Sequence, residues 1–255
     1  MLPKKRILSI NVSQGKYPEF VDNIVELANE RVSSYVCVAN VHMLVEAHQS
    51  KAFQKIVNDA DIVTPDGMPL AKCFQLLHQQ PQDRVDGMSL LPALLEEASK
   101  SGLSVYFYGG SKKMISETTK YLANTYPSLN IAGAYSPPFR TLTEDEKDNI
   151  ATRITASGAN LVFVVLGCPK QEKWMNEMKG KIPAVMIGIG GALPVLIGMQ
   201  RRAPEWMQKN SLEWLYRLMQ EPKRLFKRYF STNSTFLYLL AKEKMTVHKK
   251  EMPYG

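Results

Sequence analysis

Cysteine and long apolar runs are both scarce in this chain, and each shortage excludes a class of protein. The 255 residues include 3 cysteines, which lie far apart and form no Cys-x-x-Cys pair. Neither a disulfide framework nor a thiolate metal site is therefore indicated, and a reducing compartment is expected. The longest uncharged stretch, 182–200, contains Pro183, Pro194 and a glycine cluster, which favours a strand, a turn and a short helix over a membrane span.

Familiar nucleotide and metal signatures are also missing. The chain has no Walker lysine motif and no complete Gly-x-Gly-x-x-Gly, and its histidines lack the spacing of a zinc helix. Asp59 and Asp61 form the Asp-x-Asp pair that metal-dependent sugar transferases use, but they precede a predicted strand and would lie at the wrong end of the sheet. We therefore predict no metal and no cofactor.

Excess positive charge is confined to the C-terminal end. Residues 201–250 contain 12 Lys and Arg against 4 Asp and Glu, whereas the rest of the chain has 20 of each. Trp, Tyr, Phe and Leu are interleaved with these cations. This mixture is typical of a surface that lies against the headgroups of an anionic membrane.

The order of predicted elements indicates the fold class. Short β-branched runs alternate with amphipathic segments, which is typical of an α/β fold, a Rossmann-like, mostly parallel sheet with helices on both faces. The strand pattern stops near Arg201, and Pro204 and Pro222 suit the first turns of new helices. We predict an α/β body at 1–200 and a basic, helical, membrane-associating appendage at 201–255. The predicted strands are 6–12, 35–39, 61–64, 103–108, 129–134, 160–166 and 184–189, and the clearest predicted helices are 18–32, 87–100, 111–125 and 143–156.

Residues that follow predicted strands are the first candidates for a site, because open α/β sheets bind ligands beyond the carboxyl ends of their strands. Asp66 follows 61–64 and could deprotonate a substrate hydroxyl, or could simply stabilise its own Asp-Gly turn. Glu172 is better explained as a structural carboxylate at a helix start. The other candidates are Asn40 and Gln171, and the glycines Gly109, Gly110, Gly190 and Gly191, whose backbone N–H groups could approach a phosphate.

The appendage carries a cluster of cations with helical spacing. Arg224 and Arg228 are four residues apart and share a helix face, with Lys227 beside them. Such a face could hold a diphosphate, or could be a solvated basic face without a ligand. The flanking aromatic residues favour a functional role.

Several motifs, in order along nearly the whole chain, resemble the WecG/TagA/CpsF family of bacterial glycosyltransferases, glycosyltransferase family 26. The most specific in combination are Pro-Asp-Gly at 65–67, Gly-Cys-Pro-Lys-Gln-Glu at 167–172, Arg-Ala-Pro-Glu-Trp at 202–206, Glu-Trp-Leu-Tyr-Arg-Leu at 213–218 and Glu-Pro-Lys-Arg at 221–224. Further matches are Asn40, Arg84-Val85-Asp86-Gly87, Tyr108-Gly109-Gly110, Pro137-Pro138-Phe139 and Gly188 to Ala192.

The resemblance implies an inverting, metal-independent glycosyltransferase. It would move a sugar from a UDP-sugar to a polyprenyl-diphosphate-linked sugar during synthesis of a cell-surface polysaccharide. N-Acetylmannosamine or N-acetylmannosaminuronic acid is expected, and glucose remains open. The resemblance also implies a cytoplasmic protein, peripheral on the inner face of the cell membrane, that binds its two substrates and the anionic surface and forms a homo-oligomer. No nucleic-acid partner is expected.

The resemblance also gives roles to individual residues. Asp66 corresponds to the catalytic base, Asn40 and Gln171 to polar pocket residues, and Arg84 to a site arginine. Arg217 and Arg224, with Lys227 or Arg228, correspond to the appendage cations thought to meet the diphosphate.

Two positions depart from the family pattern. Val38 stands where many relatives have Thr, which removes a hydroxyl, and Leu193-Pro194 stands where relatives often have Phe-Asp. The identity of the transferred sugar is therefore left open.

Two other classes of function are compatible with parts of the sequence. A sequence pI of about 9.3 and mixed Arg and aromatic residues would suit a nucleic-acid-binding α/β protein. The glycine turns would suit a nucleotide-dependent oxidoreductase, which ranks lower because no Gly-x-Gly-x-x-Gly opens a βαβ unit.

Overall fold

The computed structural model describes residues 1–209 and 212–251, and for 209, 224, 227, 228 and 246–251 it describes the backbone alone. Its centre is a six-stranded sheet in the order β4-β3-β8-β7-β5-β6, in which every neighbouring pair is parallel. The predicted α/β class is confirmed. The strands are β1 (Lys4–Ile7), β2 (Ile10–Ser13), β3 (Ser34–Ala39), β4 (Ile62–Pro65), β5 (Ser104–Gly109), β6 (Asn130–Tyr135), β7 (Leu161–Val165) and β8 (Val185–Gly188).

The prediction of one strand at 6–12 is wrong. This segment is split between β1 and β2, which form a separate antiparallel hairpin with Lys4 opposite Ser13. The chain reverses at Leu8 and Ser9, where Leu8 has a positive φ of 55°. Glycine or asparagine usually fills such a position, so a turn built on leucine leaves no signal in the sequence.

Helices cover both faces of the sheet, as predicted. The helices forecast at 18–32, 87–100, 111–125 and 143–156 are present with similar boundaries. All helices of the described chain are α1 (Tyr17–Asn29), α2 (Val41–Gln49), α3 (Lys51–Asn58), α4 (Met68–His78), α5 (Gly87–Ser101), α6 (Lys112–Thr125), α7 (Glu144–Ala156), α8 (Lys170–Met178), α9 (Ala192–Leu196), α10 (Glu205–Lys209), α11 (Glu213–Gln220) and α12 (Pro222–Glu251).

Strand alternation divides the core into two layers. In β5, Tyr106 and Tyr108 face a layer that includes residues of α2, α3 and α8. Val105 and Phe107 face the opposite layer, formed with α1, α5 and α6. Because β5 is buried on both faces, its sequence is a continuous apolar run, as expected for a central parallel strand. Each large side chain buried in this way stabilises the fold by roughly 1.5–3 kcal/mol.

The last three helices lie beyond the sheet. Pro222 is the first residue of α12, and the carbonyl of Pro204 accepts bonds from the first turn of α10, so both proline predictions are confirmed. Phe236 and Leu239 of α12 are buried in the layer that contains α2, so this helix shares the core of the body. Division into two domains at residue 200 stays a prediction. Among the described helices, none is both long and apolar enough to cross a bilayer.

Candidate active site

A cavity of about 1270 Å³ opens at the carboxyl ends of β3, β4, β7 and β8, and α11 and α12 form its opposite wall. Ligands of open α/β sheets bind at this edge. Seven of the residues singled out in the sequence line the cavity together, although they come from widely separated segments. They are Asn40, Asp66, Arg84, Gln171, Gly190, Gly191 and Arg217.

Asn40 and Asp66 meet because β3 and β4 are neighbours. Asn40 caps α2 by accepting a bond from the backbone N–H of Met43 through Oδ1 at 3.2 Å. That bond directs its Nδ2 to the carboxylate of Asp66, at 3.4 Å from Oδ2. The side-chain bond described for Asp66 therefore comes from another strand end and not from its own Asp-Gly turn. This contact holds the half-buried carboxylate at the cavity wall.

The surroundings of Asp66 favour its protonated form. Burial is the largest cause, the negative charges of Asp86 and Glu213 add to it, and together they raise the pKa of Asp66 to about 7. Arg217 and the bond from Asn40 act in the opposite direction. A carboxyl group with a pKa near neutrality is well matched to accept a proton during a reaction.

Arg84 joins the body to α11 through two acidic partners. Its guanidinium donates to Asp86 at 2.9 Å and to Glu213 at 3.2 Å, and the three side chains are only 15%, 6% and 23% exposed. Asp86 also caps α5 by accepting bonds from the N–H groups of Met88 and Ser89. Arg84 thus lines the cavity and is paired with two carboxylates.

Sequence reasoning gave no separate role to Asp86 and Glu213. In the sequence they belong to family motifs, and in the structure both line the cavity. Arg84 and Glu213 are 129 residues apart, so no local pattern could reveal their pairing. The nearest available signal was the position of Asp86 directly before the predicted helix at 87–100, which is typical of a helix cap.

The glycines at the end of β8 and in the turn that follows allow two side chains to approach the backbone. A Cβ atom on Gly188 would lie 2.8 Å from Nε2 of Gln171, which is closer than real Cβ contacts. A Cβ atom on Gly191 would lie 3.5 Å from Nη2 of Arg217, so the guanidinium rests against this turn. The arginine of α11 and the backbone of α9's first turn therefore share one wall of the cavity.

Gln171 is held by a buried carboxyl group. Its Nε2 donates to Oε1 of Glu172 at 2.8 Å, and its Oε1 accepts from the N–H of Gly167 at 3.1 Å. Glu172 is fully buried in the first turn of α8, and burial raises its pKa to about 7. The position at the helix start agrees with the sequence prediction. The contact shows that Glu172 also fixes the orientation of the Gln171 amide.

Two predicted residues lie outside this cavity. Gly109 ends β5 and Gly110 follows it at the same edge of the sheet, but neither is part of the cavity wall. Gly109 has a φ of 110°, and a Cβ atom there would lie 2.5 Å from the carbonyl oxygen of Val165. Close approach of β5 and β7 thus accounts for this glycine, and a role in binding substrate stays a prediction.

Three predicted cations fall in α12. The backbones of Arg224, Lys227 and Arg228 belong to this helix, but their side chains lie outside the described part of the structure. Their contact with a diphosphate stays a prediction. The adjoining residues Tyr229, Thr232 and Asn233 line the cavity.

The arrangement of potential metal ligands agrees with the absence of a metal motif in the sequence, as far as the structure describes the chain. Within 1–209 and 212–251, no group of three or more His, Cys, Asp or Glu side chains is arranged to hold an ion. Asp61 of the Asp-x-Asp pair lies at the amino end of β4, where it pairs with Lys179 at 2.8 Å and accepts from the N–H of Tyr35 at 2.9 Å. This end of the sheet is opposite the cavity, as predicted.

The structure is that of an α/β protein in which the carboxylate of Asp66 and the guanidinium of Arg217 line one cavity at the carboxyl edge of the sheet, the usual place of an active site in this fold. The sequence pattern of the family described as glycosyl transferase WecG/TagA/CpsF matches residues 5–250, and the chain belongs to this family. Family membership makes the protein a glycosyltransferase, in place of the nucleic-acid-binding protein or oxidoreductase considered from the sequence.

Two curated relatives come from bacilli. One, from Bacillus spizizenii, is 31% identical over 222 residues, which cover 86% of this chain and 84% of the relative. The other, from Bacillus subtilis (strain 168), is 30% identical over 217 residues, which cover 85% and 82%. Both are named N-acetylglucosaminyldiphosphoundecaprenol N-acetyl-beta-D-mannosaminyltransferase.

Proposed function

We propose that this glycosyltransferase transfers N-acetylmannosamine from its UDP derivative to N-acetylglucosamine carried on a polyprenyl diphosphate. The names of both relatives support this choice of acceptor and of transferred sugar. The observation that carries the proposal is the carboxylate of Asp66, which has a pKa of about 7 and faces a cavity shared with Arg217. The product would belong to a cell-surface polysaccharide, such as a teichoic acid-like polymer or an exopolysaccharide.

Asp66 acts as the general base in this proposal. One oxygen of its carboxylate accepts the proton of an acceptor hydroxyl while that hydroxyl oxygen forms a bond to the anomeric carbon of the donor. The bond between the anomeric carbon and the diphosphate breaks, and UDP leaves with the electron pair. Attack from the face opposite the leaving group inverts the anomeric centre. Asn40, which donates to Asp66, holds the base in place.

Cationic side chains and backbone N–H groups stabilise the departing diphosphate. Arg217 rests against the turn at Gly191, so a guanidinium and the N–H groups of that turn can meet the same oxygens. Arg84, Arg224, Lys227 and Arg228 are proposed as further cations on the substrates. Since these groups can meet the charge of a diphosphate, we propose that turnover needs no metal ion.

Two residues bear on the choice of sugar. Gln171 lies at the cavity wall with its amide fixed by Glu172 and Gly167, which suits recognition of a polar group on a substrate. Val38 also lines the cavity, so the methyl groups that replace the threonine of many relatives face the substrate space. We propose that this exchange alters selectivity among donors.

We further propose that the protein acts at the inner face of the cell membrane. The basic C-terminal segment and the exposed side chain of Phe226 in α12 support a peripheral contact with anionic lipid. Assembly into a homo-oligomer stays a prediction.

The test is a transfer assay with purified protein. UDP-N-acetylmannosamine, UDP-N-acetylmannosaminuronic acid, UDP-N-acetylglucosamine and UDP-glucose are each offered with a synthetic N-acetylglucosaminyl diphosphate lipid, with and without a chelator. We expect UDP release and a β-linked product with the first donor, at the same rate in the chelator. No product with that donor would contradict the assigned sugar, and loss of activity in the chelator that manganese restores would contradict metal independence.

A further inference from the structure

The cavity wall includes a set of large apolar side chains, which we call the apolar arm. This arm is formed by residues of α4, α11 and α12, and we define it as Leu76, Trp214, Phe236, Leu237 and Leu240. Leu76 is 43% exposed and Leu237 is 62% exposed, although both belong to the cavity wall. Large aliphatic side chains that line a cavity and yet remain exposed offer apolar surface to a ligand.

The size of the cavity leaves room for more than one substrate. Small-molecule sites usually enclose roughly 300–1,000 Å³. The cavity here measures about 1270 Å³. Asn40 and Asp66 lie at the sheet edge, whereas the side chains of the arm are apolar and belong to helices. A ligand that spans both parts must therefore be charged at one end and hydrocarbon at the other.

Helical spacing places two apolar side chains of the arm next to cations. Trp214 and Arg217 are three residues apart on α11, and both line the cavity. Lys72 and Leu76 are four residues apart on α4, and both line the cavity as well. Residues at these spacings are neighbours on a helix surface. Two walls of the cavity thus each present a cation and an apolar side chain about one helical turn apart.

We propose that the apolar arm binds the first isoprene units of the acceptor lipid, with the attached diphosphate beside Lys72. This inference rests on the proposed function, because the prenyl chain belongs to the proposed acceptor. In a polyprenyl diphosphate the hydrocarbon begins directly at the diphosphate, so cations and apolar surface must adjoin in its site. The arm meets this requirement within the same cavity as Asp66.

The outer face of α12 provides a matched control. Phe230 is 71% exposed and Tyr238 is 65% exposed, and neither belongs to the cavity wall. These side chains can contact a bilayer or a micelle but not a ligand in the arm. Because Leu76, Leu237, Phe230 and Tyr238 are all substantially exposed, replacing them with serine should leave the protein folded, which circular dichroism checks.

The first measurement is transfer in detergent with two acceptors that carry the same sugar diphosphate, one on a long prenyl chain and one on an ethyl group. For Leu237→Ser and Leu76→Ser we expect the KM for the prenyl acceptor to rise about tenfold, while the KM for the donor and the rate with the ethyl acceptor stay as in the wild type. Phe230→Ser and Tyr238→Ser should leave all these values unchanged. An equal rise in all four variants would assign the effect to micelle contact and overturn the proposal, as would no rise in any of them.

The second measurement does not depend on transfer. Farnesyl diphosphate and inorganic diphosphate are titrated against tryptophan fluorescence, below the micellar concentration of the former. We expect farnesyl diphosphate to bind at least tenfold more tightly than inorganic diphosphate, and Leu237→Ser and Leu76→Ser to remove that difference. Equal affinity for the two ligands in the wild type would overturn the lipid subsite. If this difference is found but no donor is turned over, the proposed function fails while the subsite stands.

Discussion

The sheet edge and the C-terminal helices contribute to the same cavity in different ways. At the sheet edge, Asn40 and Gln171 are each fixed by bonds to backbone N–H groups, and Asp66 is held by Asn40. In α12, Leu225, Phe236 and Leu239 are buried, while much of the remaining apolar surface is exposed. The residues proposed for proton transfer therefore lie at strand ends, where hydrogen bonds fix their side chains. The residues proposed to hold the lipid lie on helices with more exposed apolar surface.

The contact between the two regions is mainly polar near Asp66 and apolar further away. Arg84 of the body pairs with Glu213 of α11 beside the cavity, and α12 packs on α2 through Phe236. The attachment of these helices therefore includes a charged contact close to the proposed chemistry and an apolar contact further away. Substitutions that separate these contributions test whether the division of roles holds.

The largest effect is expected at the sheet edge. Asp66→Asn keeps the size of the side chain but removes the base, so we expect kcat to fall by about 10²–10⁴-fold with little change in the KM for the donor. Asp59→Asn, at the opposite end of the sheet, is the matched control and should keep full activity. Retention of wild-type kcat in Asp66→Asn would remove this residue as the base.

The raised pKa of Asp66 predicts how both activity and stability depend on pH. Because the base must be ionised, wild-type kcat should fall about tenfold per pH unit below about pH 7. The pKa of Asp66 is raised from 3.8, so its ionisation weakens the fold progressively from about pH 4 to pH 7 and by a constant amount above. Asp66→Asn should therefore be more stable than the wild type at pH 8, by about 2 kcal/mol after allowing for solvent at this half-buried group, and equally stable below pH 4. Chemical denaturation at the two pH values measures this, and equal stability at pH 8 would contradict the raised pKa.

A smaller effect is expected from the cation on the helix side. Arg217→Ala removes the guanidinium that rests on the turn at Gly191, so we expect kcat/KM to fall about 100-fold. Arg217→Lys should recover part of this loss, because the charge remains but the planar fork is gone. Lys223→Ala, on an exposed residue of α12, is the control for net charge. Equal losses in Arg217→Ala and Lys223→Ala would indicate a general electrostatic effect in place of a contact.

The smallest effect concerns the charged attachment between the regions. A double-mutant cycle with Arg84→Met and Glu213→Gln should give a coupling free energy of about 1–2 kcal/mol in unfolding, since both side chains are largely buried. The exposed helical pair Lys100 and Glu96 should give a much weaker coupling, because solvent screens it. Coupling as weak as in the control pair would mean that α11 is held by its apolar contacts alone.

The sequence was informative where local pattern decides structure. The strands at 35–39, 61–64 and 103–108 were found because a parallel strand buried on both faces needs a continuous apolar run. The residues after these strands then identified Asn40 and Asp66, since the carboxyl ends of parallel strands meet at one edge.

Other features depend on contacts that no local pattern contains. The hairpin at 4–13 turns on Leu8, a residue with no turn preference, and the role of Glu213 depends on Arg84, 129 positions earlier. Gly109 illustrates a further limit. A glycine after a strand looks the same in sequence whether a phosphate or a neighbouring carbonyl oxygen approaches it, and here the oxygen of Val165 does.

The burial of Phe236 and Leu239 against the layer containing α2 has a practical consequence. A chain shortened to its first 200 residues would uncover the hydrocarbon surface that these side chains occupy, and uncovered patches of this kind favour aggregation. Low solubility of such a fragment would therefore result from the apolar surface that α12 normally covers, and not from a failure of the sheet to form.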